Sequence, residues 1–422
     1  MEQLLHYVWK HKIFPLGELR TTTGLSVEII DTGLQNHHAG PDFFNAKVKI
    51  DGTMWVGNVE IHSHSSDWRK HGHHTDKAYD SVVLHVAGEV SEDVFRCNGE
   101  KIPQIQLACP DNIKERFDDL KQADLKPPCF SVLPSLSRLS IHSWLTALQS
   151  ERFEQKTSVI KERLKRLNNH WEDAFFITLS RNFGFGLNGD AFEMWANLLS
   201  FRSVDKHRDN LFQVEAFFFG QAGLLDEKLD NDTYYGEMQK EFRFLQNKFD
   251  LRIMDVSLWK FLRSRPGNFP HVRIAQLAYL YATKPALFSQ IIAAGTTKEI
   301  REILSVQTSD YWGEHFIFGK PSVRKEKIIG TGSLNLIIIN TVVPFLYAYG
   351  LHKGNEQLCS KATSFLEELK AENNHITRLW DGAGLPVYSA ADSQAIIQLQ
   401  KEYCDKKKCL YCRFGYEYLR AK

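Results

Sequence analysis

The chain has 422 residues, 43% of them hydrophobic, with 52 Lys and Arg against 51 Asp and Glu. That much apolar material fills two or three ordinary cores and excludes a disordered or fibrous chain. The near balance of charge excludes a global positive field, so any nucleic-acid binding must come from local basic clusters.

The opening stretch MEQLLHYVWKHKIF carries charges and histidines where a secretory leader keeps a continuous apolar run, and secretion is not expected. The first hundred or so residues then read as helix, strands, a short helix and strands. Leu4, Leu5, Val8 and Trp9 fall at helical spacing; Ser26 to Ile30 alternates like a strand and ends at Gly33. Phe43 to Ile50 and Met54 to His62 flank Asp51-Gly52, a dipeptide suited to a hairpin turn. Ser65 or Ser66 is placed to cap a short helix through Asp67 and Trp68, and Ser81 to Val86 is a strong strand.

Prolines at 103, 110, 127 and 128 punctuate a transition, and helical spacing dominates afterwards. Amphipathic or buried helices are expected over Trp144 to Arg166, Asp190 to Ser200, Asn210 to Leu225, Tyr234 to Phe249, Ile274 to Ala294 and Leu358 to Lys370. Leu334 to Tyr349 is the most apolar segment; it is short for a bilayer, interrupted by Asn335, Asn340 and Pro344, and reads as a buried helix. The class is therefore α+β: an N-terminal α/β domain over 1–135 with a mixed sheet flanked by helices, and a large, mostly α-helical domain over 136–422 that carries a terminal cysteine cluster.

The chemistry concentrates in Gly40-Pro41-Asp42 and Asn58-Val59-Glu60-Ile61-His62. Strand alternation puts Asn58, Glu60 and His62 on one face. A three-residue loop at 51–53 adds Asp42 to that face, a regular two-residue loop removes it, and a bulge near Asp42 changes the parity again. Two carboxylates at one Mg²⁺ or Mn²⁺ leave room for water and a phosphate, and His62 is placed to orient or deprotonate that water.

The order helix, three strands, helix, strand, with Pro41-Asp42 and then Glu60-x-His62, resembles the core of the PD-(D/E)xK nuclease superfamily, the restriction-endonuclease-like fold. The resemblance covers about the first quarter of the chain. It implies that Asp42 and Glu60 bind the metal, that an acid on the first helix assists, for which Glu18 is the candidate, and that His62 stands in the usual lysine position. DNA or RNA is the implied partner. Over its full length the sequence is also similar to an uncharacterised bacterial family known only as a domain of unknown function; AGPDFFNAKVKIDG, GNVEIHSHSSDWRKHGHH, YDSVVLHV, RPGNFPHVRIAQLA and CLYCRFGYEYL carry that likeness. That family implies no reaction.

Eight of the 17 histidines fall between 37 and 85: His37, His38, His62, His64, His71, His73, His74 and His85. Imidazoles beside carboxylates also suit Zn²⁺, so a Zn-dependent hydrolase of another substrate, using His62, His71 and His73, is the rival, and a non-catalytic nucleic-acid or protein-binding module is a third reading. The bland use of these residues is in solvated loops, with His85 satisfying a buried hydrogen bond and Trp68 packing against the core.

Seven cysteines form an odd set in a large chain, which favours reduced thiols or a metal site over a disulfide framework and points to the cytoplasm, without membrane association. Cys404-x4-Cys409-x2-Cys412 has metal-ligand spacing for zinc or an iron-sulfur cluster but shows three ligands, for which Cys359 or a histidine is the expected fourth; the alternative is a set of buried, reduced thiols. Arg263, Arg265 and Arg273 around Pro266-Gly267-Asn268 form a basic cluster suited to a phosphate backbone or to an ordinary solvated face, as do Lys406 to Lys408 and the group Lys320, Arg324, Lys325 and Lys327.

Overall fold

The computed structural model describes residues 2–13, 19–36, 39–122, 126–229, 231–262 and 264–421, so Glu18, His37, His38 and Arg263 lie outside the described residues. The chain divides into two units, Met1–Ser137 with Gln400–Lys422, and Arg138–Leu399.

In the first unit, helix α1 (Glu2–Lys10) buries Leu4, Leu5, Val8 and Trp9. The Trp9 indole donates to the Thr32 carbonyl at 3.1 Å. Seven strands follow: β1 (Leu19–Arg20), β2 (Ser26–Asp31), β3 (Leu34–Gln35), β4 (Phe43–Ile50), β5 (Thr53–His64), β6 (Val82–Glu89) and β7 (Gln104–Gln106). They form one mixed sheet in the order β1-β2-β4-β5-β6-β7, with β3 added to β4. Neighbours up to β5 are antiparallel, whereas β5-β6 and β6-β7 are parallel. A parallel pair needs a crossover, which here consists of α2 (Asp67–Lys70) and two 3-10 turns, His73–Thr75 and Lys77–Tyr79. The three long antiparallel strands, the crossover and β6 follow the expected order; β1, β3 and β7 are additions too short to stand out in the sequence.

The β4-β5 hairpin fixes the site. Asp51 and Gly52 both have positive φ (46° and 81°), the backbone of a two-residue type I′ turn, and Ile50 faces Thr53. Taken alone, that register separates Asp42 from Glu60. A bulge then intervenes: Ala46 faces Gly57 but Phe43 faces Val59, and Asn45 between them sits at φ 56°. The shift by one residue sets Asp42 opposite Glu60. Gly33 makes the bulge possible, because a Cβ there would lie 2.5 Å from the Phe44 carbonyl oxygen.

After α3 (Asp111–Gln122) and the 3-10 segment Pro128–Ser135, the chain enters the helical unit through α4 (Arg138–Arg166). Helices occupy Gly189–Leu198, Leu211–Gln221, Thr233–Phe249 and Glu356–Glu368, close to the expected spans. The expected helix from 274 to 294 is two, Pro270–Thr283 and Leu287–Ala293, divided where Pro285 lacks a donor and Ala286 turns left-handed. Asn210, Asp232, Thr296 and Asn355 cap helix starts by accepting a backbone N–H. The apolar segment is a continuous helix, Thr331–Lys353, with a π turn at Ile338–Val342; by length and composition it is apolar enough to cross a membrane, and 67% of its most apolar window is buried inside the protein. Phe175, Phe217, Phe218, Ile338 and Phe345 belong to one core there.

The sequence placed all of 136–422 in the helical domain. The cysteine-bearing segment Gln400–Lys422 instead belongs to the first unit, where the terminal helix Arg413–Arg420 packs against Pro128–Ser135 and α3.

Candidate metal centre

A polar row crosses β5, β6 and β7 and ends at Asp42, the residue just before β4. Asp42 lies opposite Glu60, Glu60 is in register with His85 on β6, and His85 with Gln104 on β7. Side chains in register on neighbouring strands share a face, so the row is continuous, and His62 occupies the next same-face position along β5. Glu60, His62, His85 and Gln104 are all buried.

The acids hold each other through backbone. The Asp42 N–H donates to Glu60 Oε2 at 3.0 Å, and the Ile61 N–H donates to Asp42 Oδ2 at 2.9 Å. His6 of α1, which sequence reasoning did not single out, brings Nε2 to 3.2 Å from Asp42 Oδ2. With one oxygen of each acid occupied in this way, the other Glu60 oxygen, Oε1, faces the histidines: 3.2 Å from His73 Nε2 and 3.6 Å from His62 Nε2.

The crossover brings in the remaining imidazoles. The α2 turn ends at His71; Gly72 then adopts φ 79° and starts the 3-10 turn of His73. Tyr79 stacks on His73 at 3.7 Å between ring centroids. Trp68, buried, donates its indole N–H to the Phe95 carbonyl and meets His62, His73 and His85 edge-on. It is a wall of the site and offers no exposed face to a base. His62, His71 and His73 bring one donor atom each to within 4.8 Å of one another.

Hydrogen bonding fixes the protonation of the central imidazole. Gln104 donates its amide N–H to the Glu92 carbonyl, which turns Oε1 toward His85 Nδ1 at 3.0 Å. His85 therefore carries its proton on Nδ1 and accepts on Nε2, where His62 Nδ1 lies 2.9 Å away. His62 donates from Nδ1 and keeps a lone pair on Nε2, facing His71 Nδ1 at 3.2 Å and Glu60 Oε1. This is the state in which an imidazole ligates a metal, held by an outer partner on its other nitrogen.

Burial governs the ionisation of the group. Burial, followed by the repulsion of the Asp42 charge, pushes Glu60 up to about 9. Burial and then the neighbouring imidazoles His85, His73 and His71 push His62 down to about 2, and burial lowers His85 to about 4 against the Gln104 bond. His73 is lowered by burial as well. For His6 burial works downward, but the Asp42 hydrogen bond and charge outweigh it and its pKa rises. A bound divalent cation would reverse this balance for Glu60 by stabilising the carboxylate.

Ligand distances test whether a cation fits. Bonds of about 2.0–2.1 Å at tetrahedral angles separate ligands by roughly 3.3 Å. The separations of His62 from His71 (3.2 Å), of Glu60 Oε1 from His73 (3.2 Å) and of Glu60 Oε1 from His62 (3.6 Å) agree. The donor set is richer in nitrogen than the two-carboxylate Mg²⁺ site expected from the hairpin, and it suits Zn²⁺ or Mn²⁺ better.

Among the basic residues, Arg273 is buried; its guanidinium bonds to Asn268 and Gln276 and lies over the Phe185 ring, so it serves the interior. Arg265 is exposed. Lys327 is buried too, donating to the Gly313 and Lys325 carbonyls.

Residues 2–375 match the sequence profile of a family described as protein of unknown function (DUF2851). No curated protein and no solved structure matches the chain.

Proposed function

The chain belongs to the DUF2851 family, and since that description assigns no reaction, we propose from the site itself a metal-dependent hydrolase that cleaves phosphodiester bonds of nucleic acid. The convergence of the His62, His71 and His73 ring nitrogens, with Glu60 Oε1 beside His62 and His73, carries the proposal.

His62, His71 and His73 would hold a Zn²⁺ or Mn²⁺ ion, with Glu60 as fourth ligand or as base beside an open position. Such a cation supplies Lewis acidity toward a phosphoryl oxygen and a water. His85 and Gln104 keep the His62 lone pair directed at the site. Asp42 orients Glu60 through the reciprocal backbone bonds, and the His6-Asp42 pair provides a place for a proton released nearby. The cross-strand Asp42-Glu60 pair and the resemblance to PD-(D/E)xK nucleases favour a phosphodiester substrate. The three imidazoles favour zinc, and with it the second reading, a Zn-dependent hydrolase of another substrate. The reduced thiols suit a cytoplasmic setting.

The test is cleavage of single- and double-stranded DNA and RNA by the purified protein with Zn²⁺, Mn²⁺ or Mg²⁺. Cation-dependent cutting should disappear in Glu60→Gln and His62→Ala variants that retain their circular dichroism. Cutting that survives both substitutions overturns the assignment, and a metal-loaded protein that cuts none of these polymers moves it to the second reading.

A further inference from the structure

The helical unit holds a cavity of about 240 Å³ whose wall joins aromatic rings to charges of both signs. Its parts come from distant places in the sequence. The helix Trp171–Phe183 contributes Glu172, Asp173 and Phe176, and the short helix Phe201–Asp205 with the turn after it contributes Phe201, Asp205 and Arg208. The helix Pro270–Thr283 and its cap supply Tyr281 and Lys284, and the break at Pro285, where Ala286 sits at φ 50°, sets Leu287 in the wall. The rings brace one another. Phe176 meets Tyr281 edge-on at 5.2 Å and Phe201 at 5.7 Å between centroids.

Two of the charged groups are already committed. Glu172 accepts the backbone N–H groups of Phe288 and Ser289 at 2.9 and 3.0 Å, which caps the start of Leu287–Ala293, and Asp205 accepts the Tyr281 hydroxyl at 2.7 Å. Arg208, Lys284 and Asp173 are not. The Arg208 guanidinium lies 4.0 Å from the Tyr281 ring centroid and its side chain is only 25% exposed. Yet among the described residues its ion-pair contact, Nη1 to Asp205 Oδ1, is 3.7 Å long, and its buried Nε has no acceptor. A guanidinium with five donors is left almost unused. Lys284, half-buried, forms no ion pair among the described residues. Asp173 has His170 at 3.9 Å as its ionic neighbour; burial, joined by the charges of Asp205 and Glu172 and only partly offset by His170 and Arg202, raises its pKa. Asp205, Arg208 and Asp173 all act on the charge of the Tyr281 hydroxyl, so these groups surround one point.

The mixture of signs selects the ligand. A simple anion would meet the carboxylates and a simple cation would meet Arg208 and Lys284, whereas a molecule with one charge of each sign satisfies both sets. Guanidinium and ammonium donors suit a carboxylate, and an acceptor without donors suits an ammonium. The cavity lies below the roughly 300–1,000 Å³ of drug-sized pockets, which points to a smaller molecule. We propose that it binds a free α-amino acid with an apolar side chain, its carboxylate on Arg208 and Lys284, its ammonium on Asp173, and its side chain against Phe176, Phe201 and Leu287. None of these residues takes part in the metal centre.

The experiment is calorimetric titration and thermal unfolding of the full chain with L-leucine, L-methionine and L-phenylalanine, beside the N-acetyl derivative of each, which lacks the ammonium, and the amide, which lacks the carboxylate. At least one of the three amino acids should bind at one equivalent and raise the melting temperature, and both of its derivatives should bind about 10- to 100-fold more weakly. Asp173→Asn should abolish the preference over the N-acetyl derivative, and Arg208→Gln the preference over the amide. If Arg208→Gln fails to fold, because the guanidinium packs on Tyr281, Lys284→Gln takes its place. No binding of any of the three at millimolar concentration, equal binding of an amino acid and its derivatives, or an unchanged preference in folded Asp173→Asn overturns the proposal.

Discussion

Glu60 commits its two oxygens to different neighbours, Oε2 to the Asp42 N–H and Oε1 to the imidazoles of His73 and His62. A carboxyl so placed is held by backbone on one side and offered to a ligand on the other. The His62 lone pair depends in turn on His85 and Gln104, neither of which touches the proposed cation. Gln104→Leu removes the acceptor that sets the His85 tautomer, and metal affinity should fall about 10- to 100-fold while the fold persists; calorimetric titration of the metal-stripped protein checks this, and unchanged affinity would contradict the relay. Strand alternation made Glu60 and His62 legible together, and the density of histidines drew attention to His71 and His73. Gln104 was not legible, because its role arises from parallel pairing with β6, which strand propensity does not reveal. His6 was missed for a similar reason: the sequence looked for an acid on the first helix, at Glu18, whereas a base stands over Asp42.

At the scale of the element, one bulge decides whether the site exists. The Asp51-Gly52 turn gives the register that separates the acids, and the extra residue at Asn45 restores their meeting. The turn was readable from two residues. The bulge was not, because it depends on Gly33 receiving the Phe44 carbonyl and on the Asn58 side chain accepting the Asn45 N–H, contacts set by the folded sheet. Asn45→Gly should leave stability nearly unchanged, since glycine adopts positive φ without steric cost. Asn45→Val should cost about 1–2 kcal/mol in denaturant unfolding and weaken metal binding as well. Equal stability of the two variants would show that the left-handed residue does not hold the register.

For the whole molecule, helical periodicity was visible through most of 138–399, but the return of the last segment to the first unit was not, since no local pattern links Cys129 to Cys404, Cys409 and Cys412, with which it lines one cavity. The helical unit also carries two buried ionisable groups of opposite consequence. Burial lowers His271 to about 3, so the neutral ring is favoured in the fold; its contribution is intact above the unfolded value near 6.5 and is lost as pH falls toward 3. Burial raises Glu215 to about 7 against the hydroxyl bonds of Tyr234 and Ser309, so the protonated acid is favoured and stability declines as pH rises from about 4.5 to 7. Unfolding free energies across pH 4 to 7 should therefore show a shallower acid loss in His271→Phe than in wild type and a smaller loss toward neutrality in Glu215→Gln. Matching pH slopes in wild type and both variants would contradict these assignments.

The measurement closest to the central claim is calorimetric titration of metal-stripped protein with Zn²⁺ and Mn²⁺, comparing wild type with His62→Ala and His71→Ala and using Cys409→Ser to separate the thiol cavity. A high-affinity site at one equivalent is expected, persisting in Cys409→Ser and disappearing in each histidine variant. Absence of that site in folded wild-type protein, or its persistence in His62→Ala and His71→Ala, would contradict it.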